Sequence, residues 1–540
     1  MADFFWVGGT GNTSDNANHW ALTSGGAPQV LGPTSIDNAI FDALSGTGTV
    51  TVDVALQCLA MTWTGSSGLN LTQAALLEVF GNLTFISGMT YTPAGFTLGL
   101  RGGAANITSA TKQPFDVVVN ATGAKTLQDN LTLTNDLTLT LNAMALNGKT
   151  VSVGRDCLQA GGTITGAASS VLTITRDYNA TSGATSSLAT VAVTIGRDFI
   201  QSGGTVSIVS QTGFFKVTRS FLKTAGSFTG GVGTMVEYIG NATDGQFRFN
   251  SSSSHTHKFN SAGGTGVWTM LAALTNPGTV QVSSGTFDTG GFDINSSVTG
   301  ILTVDGGIFL ATGSSVVSRL IYTRSSGTST WGASTTFSCI GSAMTIPADA
   351  FNHLLITDAG ASSTGVTLSG NTSCNNLTLT QDSFGASLTM GAFTLSIAGN
   401  VTIGAGTSLS GASGTLAFTG TGACAISSAI TITVAVFKCE VPTKAFTITA
   451  ATVFSVASLI LKGSFSRPIV LQSASTPYAF GLTSANNNVH GASLSGFNNG
   501  GTQLLARASV NVGSNTGVKF VRQNPWLGNH RAPVGALATV

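Results

Sequence analysis

The chain has 540 residues, of which only 8% are charged and 42% hydrophobic, with 69 glycines and a net charge of +1. Ordinary soluble domains carry about 25% charge, yet the hydrophobic residues here alternate with polar ones, which argues against disorder, and no run of about 18 apolar residues marks a membrane span. A net charge near zero offers no electrostatic footprint for nucleic acid.

Residues 1–50 read as a distinct module built on Trp6, Trp20 and paired glycines at Gly25 and Gly26. It lacks a basic segment followed by an apolar one, so no secretory signal is expected. A solenoid needs a terminal cap over its first rung, and two tryptophans in a Gly-rich segment suit one. Core aromatics are the ordinary reading for Trp6 and Trp20. A particle-docking role for them, or a sugar-binding platform, is the functional one.

Residues 51–465 form the expected body. Its clearest stretch runs VSVGRDCLQAGGT, LTITRDYNATSGAT, VTIGRDFIQSGGT, KVTRSFLKTAGSF. Asp156, Asp177, Asp198 and Ser220 recur every 21, 21 and 22 residues, and Gly162, Gly183, Gly204 and Gly226 keep the same beat. Asp136 adds a rung upstream, with Asn142 at the glycine position. Self-similarity at this period marks a solenoid. Each unit opens with residues alternating at period two, so the units are strands. A polar Gly-Arg-Asp corner follows, then a small-residue turn. The expected fold is all-β: a parallel, right-handed β-helix with rungs of about 21–24 residues. At roughly 4.8 Å per rung it would make a rod of about 100 Å. Cys157, Tyr178, Phe199 and Phe221 follow the corners and should stack as a buried column. Arg155, Arg176 and Arg197 beside Asp156, Asp177 and Asp198 should form a ladder of charged corners with a structural role.

Later in the body, residues 244–264 break the pattern and are expected to hold a loop. They include His255 and His257, an H-x-H pair whose imidazoles share one face of a strand and could ligate a transition metal at an oligomer tip. With four flanking serines and no acidic third ligand nearby, an exposed loop or strand is the expected place for them. Glycan hydrolysis needs two carboxyls a defined distance apart. The three glutamates (Glu78, Glu237, Glu440) are far apart in sequence, so Asp288, Asp293 and Asp305 remain the best candidates for a catalytic set. Six cysteines without C-x-x-C spacing are expected to be buried thiols. No cofactor is expected. Residues 466–522 read as closing rungs, and 523–540, with Trp526, as an extended arm and second docking candidate.

The segments WVGGTGN, HW, SGGAP and PTSIDNAIFDA near the start, the short LT-type strands in the middle and SVNVGSNTGVKF near the end resemble a family of bacteriophage β-helix proteins found among virion and tail-associated gene products. The resemblance implies a structural virion role and transfers no catalytic residue. The expectation is therefore a non-enzymatic structural protein of a phage virion: a tail fibre, tail-tip or head-surface decoration protein, with receptor binding for host attachment as an added role. It would be made in the host cytoplasm and assembled as a homotrimer with other virion proteins, binding a host surface glycan or protein, without membrane insertion. The alternatives are a glycan-depolymerising tailspike, which needs a carboxylate pair in a groove, and a bacterial surface adhesin, which needs a secretion route.

Overall fold

The computed structural model describes residues 1–521 apart from 66–67, 189, 209–214, 231–233, 250–254, 314, 341–342, 359–362, 382, 450–451, 465, 475–477 and 485, and without the side chains of 296–299. Trp526 and the arm 523–540 lie outside the described residues. With 58% strand against 1% helix among the described residues, the fold is a parallel β-solenoid of about 21 turns, as the alternation requires. It divides into two compact units, Met1–Thr286 and Phe287–Val540.

In the first unit the period-21 units fall on neighbouring rungs in register. Cys157 pairs with Tyr178, Tyr178 with Phe199, and Phe199 with Phe221. All four side chains are fully buried, and the Phe199 and Phe221 rings lie 4.7 Å apart. This continuous inward column is the core, because a rung alone has too little apolar surface to bury. The glycine beat is a backbone requirement: Gly162, Gly183, Gly204 and Gly226 have φ of 65°, 88°, 64° and 77°, and Asn142 at the same place has 56°. Only glycine, and asparagine at some cost, enters this left-handed region readily.

Residues 1–50 pair directly with the rungs that follow. Asp3–Trp6 pairs parallel with Asn38–Phe41, which pairs parallel with Met61–Trp63. Trp20–Ala21 folds back antiparallel onto Phe5 and Trp6 and closes the end. The closing rungs expected from residue 466 continue those of the body, with Ala445–Ile448 paired parallel to Ile469–Ser473 and Val453–Lys462 to Tyr478–Leu482. Within the stretch 244–264, residues 250–254 of the expected loop lie outside the described residues. Gly245–Phe249 and Thr256–Asn260 are strands paired parallel to the rungs before them, because their alternating large residues continue the core.

Candidate functional site

The charged corners form a ladder, but the strongest ties run between rungs rather than within one corner. Arg155 Nε donates to Asp136 Oδ1 at 2.8 Å, Arg197 Nε to Asp177 Oδ1 at 2.7 Å, and Arg219 Nε to Asp198 Oδ1 at 2.9 Å. Arg176 Nε lies 3.5 Å from Asp156 Oδ1. Each aspartate also accepts the backbone N–H at the next corner. Asp116 takes that of Asp136, Asp136 that of Asp156, Asp156 that of Asp177, Asp177 that of Asp198, and Asp198 that of Ser220, at 3.0–3.2 Å. Asp177 and Asp198 are only 7% and 5% exposed, so these bonds matter: a buried N–H without an acceptor costs about 1–3 kcal/mol. Burial raises the Asp198 carboxyl, but hydrogen bonds from Arg219 and Ser220 and the Arg219 charge outweigh it and hold it below the usual range. These carboxylates therefore act as structural ties.

Asp288, Asp293 and Asp305 are likewise engaged at turns and along a strand. Asp288 Oδ1 accepts from Gly290 N at 2.9 Å and Thr312 Oγ1 at 2.5 Å, and Asp293 Oδ1 accepts from Val316 N at 2.7 Å. Asp305 sits within the strand Ile294–Ala311, opposite Ser326 of Val316–Trp331. Asp288 and Asp293 thus do the same work of joining one rung to the next as the corner ladder.

The exposed setting expected for His255 and His257 is corrected. They are 3% and 0% exposed, with ring centroids 6.4 Å apart, among Phe228, Phe247, Phe249 and Tyr238. Tyr238 Oη lies 3.1 Å from His257 Nδ1. Burial pushes His255 down to about 4, and burial together with the neighbouring His255 pushes His257 down to about 3. The register encloses His257, which stands between Val236 and Val280 on adjacent strands. Among the described residues, no group of three or more His, Cys, Asp or Glu is placed to hold a metal ion.

Trp6 and Trp20 are also fully buried. Trp6 Nε1 donates to Gly9 O at 2.7 Å and Trp20 Nε1 to Thr13 O at 3.2 Å, and the two rings meet edge to face. Their indoles are core, as the ordinary reading has it, and are not available as docking contacts. The same rung instead exposes Val30, Leu31 and Ile36 at 80%, 69% and 63%. All six cysteines are buried free thiols. Burial pushes Cys58, Cys157 and Cys374 up to about 12.

Several inward polar residues escaped the sequence reading. Gln159, Gln201 and Lys223 lie in one inward column with Ala180 and are at most 1% exposed. Gln159 Oε1 accepts from Tyr178 Oη at 2.5 Å, and Gln159 Nε2 donates to Thr185 O at 2.8 Å. The signal was the alternation itself, since each stands two residues after a core position.

A shallow surface groove of about 540 Å³ lies in the second unit. Its walls are outward columns of stacked rungs: Thr394, Thr415 and Val436 in one, Ser396, Ala417 and Lys438 in the next. At its edge Glu440 is ion-paired with Lys438 at 2.8 Å and with Lys462 of the following rung. Hydrogen bonds from Lys438 and Lys462 hold the Glu440 carboxyl below the usual range. Glu440 is the one carboxylate among the described residues lining the groove. Hydroxyls, a small apolar floor and paired charges can bind a polar ligand, but a lone carboxylate held ionised is a poor proton donor.

No helix among the described residues is long and apolar enough to cross a membrane. Comparison with family models, with curated proteins and with solved structures finds no match for this chain.

Proposed function

We propose that this chain is a non-enzymatic structural protein of a bacteriophage virion, a tail-fibre, tail-tip or head-surface component that also engages the host surface. The observation that carries the reading is the corner ladder. The corner carboxylates are committed to the backbone N–H of the next rung, the candidate acids Asp288 and Asp293 accept hydrogen bonds that join rungs in the same way, and the groove has one ionised carboxylate rather than a pair. The outer columns of Ser and Thr and the resemblance of both chain ends to phage β-helix proteins support the same reading. Homotrimeric assembly belongs to the proposal, and mass measurement in solution tests it: a monodisperse monomer would remove it. Attachment to the particle is assigned to the first rung or to residues 523–540.

The deciding experiment is an image of purified phage particles labelled with antibody to this chain. Label on tails supports adsorption, label on heads supports decoration, and unlabelled particles reject the reading. New reducing ends on incubation with host polysaccharide would replace it with a depolymerase.

A further inference from the structure

Charge is distributed unevenly along the chain. Residues 1–400 hold 14 Lys and Arg against 20 Asp and Glu, and residues 401–540 hold eight against one, Glu440. The net charge of +1 is therefore −6 followed by +7.

Strand register gathers part of the basic excess into one outward column. Lys462 pairs with His490 on the next rung, and His490 with Arg507 on the rung after that. Neighbouring rungs lie about 4.8 Å apart, so three polar or cationic side chains are presented within roughly 10 Å. The Lys462 side chain is 51% exposed, and Arg507 is exposed. Among the described residues no carboxylate pairs with Arg507. Column and groove meet at Glu440, whose carboxylate bridges Lys438 on the groove wall and Lys462 in the column.

We infer that this face, from the groove at Thr394 and Thr415 to Arg507, binds an acidic, carboxylate-bearing polysaccharide. The inference rests on the host-engagement part of the proposed function and names its ligand class. Glu440 already shows a carboxylate held between two ammonium groups, and a ligand carboxylate would take the same kind of contact with Lys462 and Arg507. The Arg507 guanidinium offers a planar fork suited to a carboxylate. The hydroxyl-lined groove beside it gives sugar hydroxyls partners and a ring face an apolar floor at Val436. Single exposed ion pairs are worth about 0–1 kcal/mol, so affinity must come from repetition along a polymer, and it must be screened by salt. Nucleic acid fits less well, because neither the column nor the groove presents an exposed aromatic ring on which bases could stack.

The test is retention of the full-length protein on immobilised polygalacturonate, with dextran as the uncharged counterpart and single-stranded DNA as the competing polyanion. Retention on polygalacturonate is expected at low ionic strength, with release by salt and none on dextran. The double variant K462Q/R507Q should bind about tenfold more weakly, while K112Q in the first unit should bind as wild type. E440Q, which frees Lys438 and Lys462 from their internal partner, should bind more tightly, a gain that misfolding cannot produce. Absent retention, undiminished binding by K462Q/R507Q, E440Q binding no tighter than wild type, equal retention on dextran or preference for DNA would each overturn the inference. Antibody label on particles is independent of all these outcomes, so failure here leaves the virion reading standing, and unlabelled particles remove that reading on their own.

Discussion

Replacing Asp198 by alanine tests the idea that corner carboxylates tie rungs together. Asp198 is 5% exposed and Ser220, whose N–H it accepts at 3.1 Å, is 4% exposed. Alanine leaves that N–H without its acceptor, at a cost of about 2 kcal/mol. It also removes the Arg219 contact, which is worth about 1 kcal/mol because the Arg219 side chain is 35% exposed and lies 3.6 Å from Asp244 as an alternative partner. The expected total is about 3 kcal/mol, or roughly a hundredfold in the local opening constant. Asparagine keeps Oδ1 as acceptor of the Ser220 N–H and loses the charge and the Oδ2 acceptor of Arg219, so Asp198→Asn should cost about 1 kcal/mol. The second unit already uses asparagine this way: Asn376 Oδ1 accepts from Asn400 N, and Asn400 Oδ1 from Ala425 N, both at 2.8 Å. Amide hydrogen exchange of residues 215–229 reads the effect rung by rung. Unchanged exchange in Asp198→Ala, or equal loss of protection in both variants, would refute the reasoning.

The histidine pair makes the fold acid-sensitive. Folded pKa values of about 4 and about 3 lie below the ordinary 6.5, so the unfolded chain takes up protons first. The stabilisation is complete above about pH 6.5 and is lost as pH falls toward 4, at about 1.4 kcal/mol per pKa unit. The melting temperature should drop between pH 7 and 4.5, the loss should shrink in H255F/H257F, and a flat wild-type profile would contradict the burial argument. At the glycine corners, a Cβ on Gly204 (φ 64°) would stand 2.3 Å from Ala184 O, whereas one on Gly183 (φ 88°) meets nothing closer than 3.6 Å. Gly183→Ala should therefore cost only the backbone strain, about 1–2 kcal/mol, and Gly204→Ala about 2 kcal/mol more, as urea midpoints will show; equal midpoints would remove the contact argument. Thiol alkylation of the native protein should leave all six cysteines unmodified until denaturant is added, since burial both hides them and disfavours the thiolate.

Much of this was readable without a fold. Period-two alternation and the 21-residue beat of Asp156, Asp177 and Asp198 suffice for parallel rungs, because stacking identical corners is how such repeats bury their apolar side. The glycine beat identified the left-handed corners, and the Cys157–Tyr178–Phe199–Phe221 column followed from position alone. Tertiary structure decided the partners and the depth. Arg197 is adjacent to Asp198 in the chain, yet its short contact is to Asp177 on the rung before, because stacking brings residues about twenty apart closer than neighbours whose side chains diverge. Four serines made His255 and His257 look exposed, but strand pairing on both sides encloses His257, and His255 packs against Phe228 and Phe249. Trp6 and Trp20 became core once Trp20–Ala21 folded back over the first rung. The basic column had no periodic signature: 28 residues separate Lys462 from His490 and 17 separate His490 from Arg507. Loops of unequal length leave the strands stacked while destroying any fixed spacing, so only the register could place these side chains on one line.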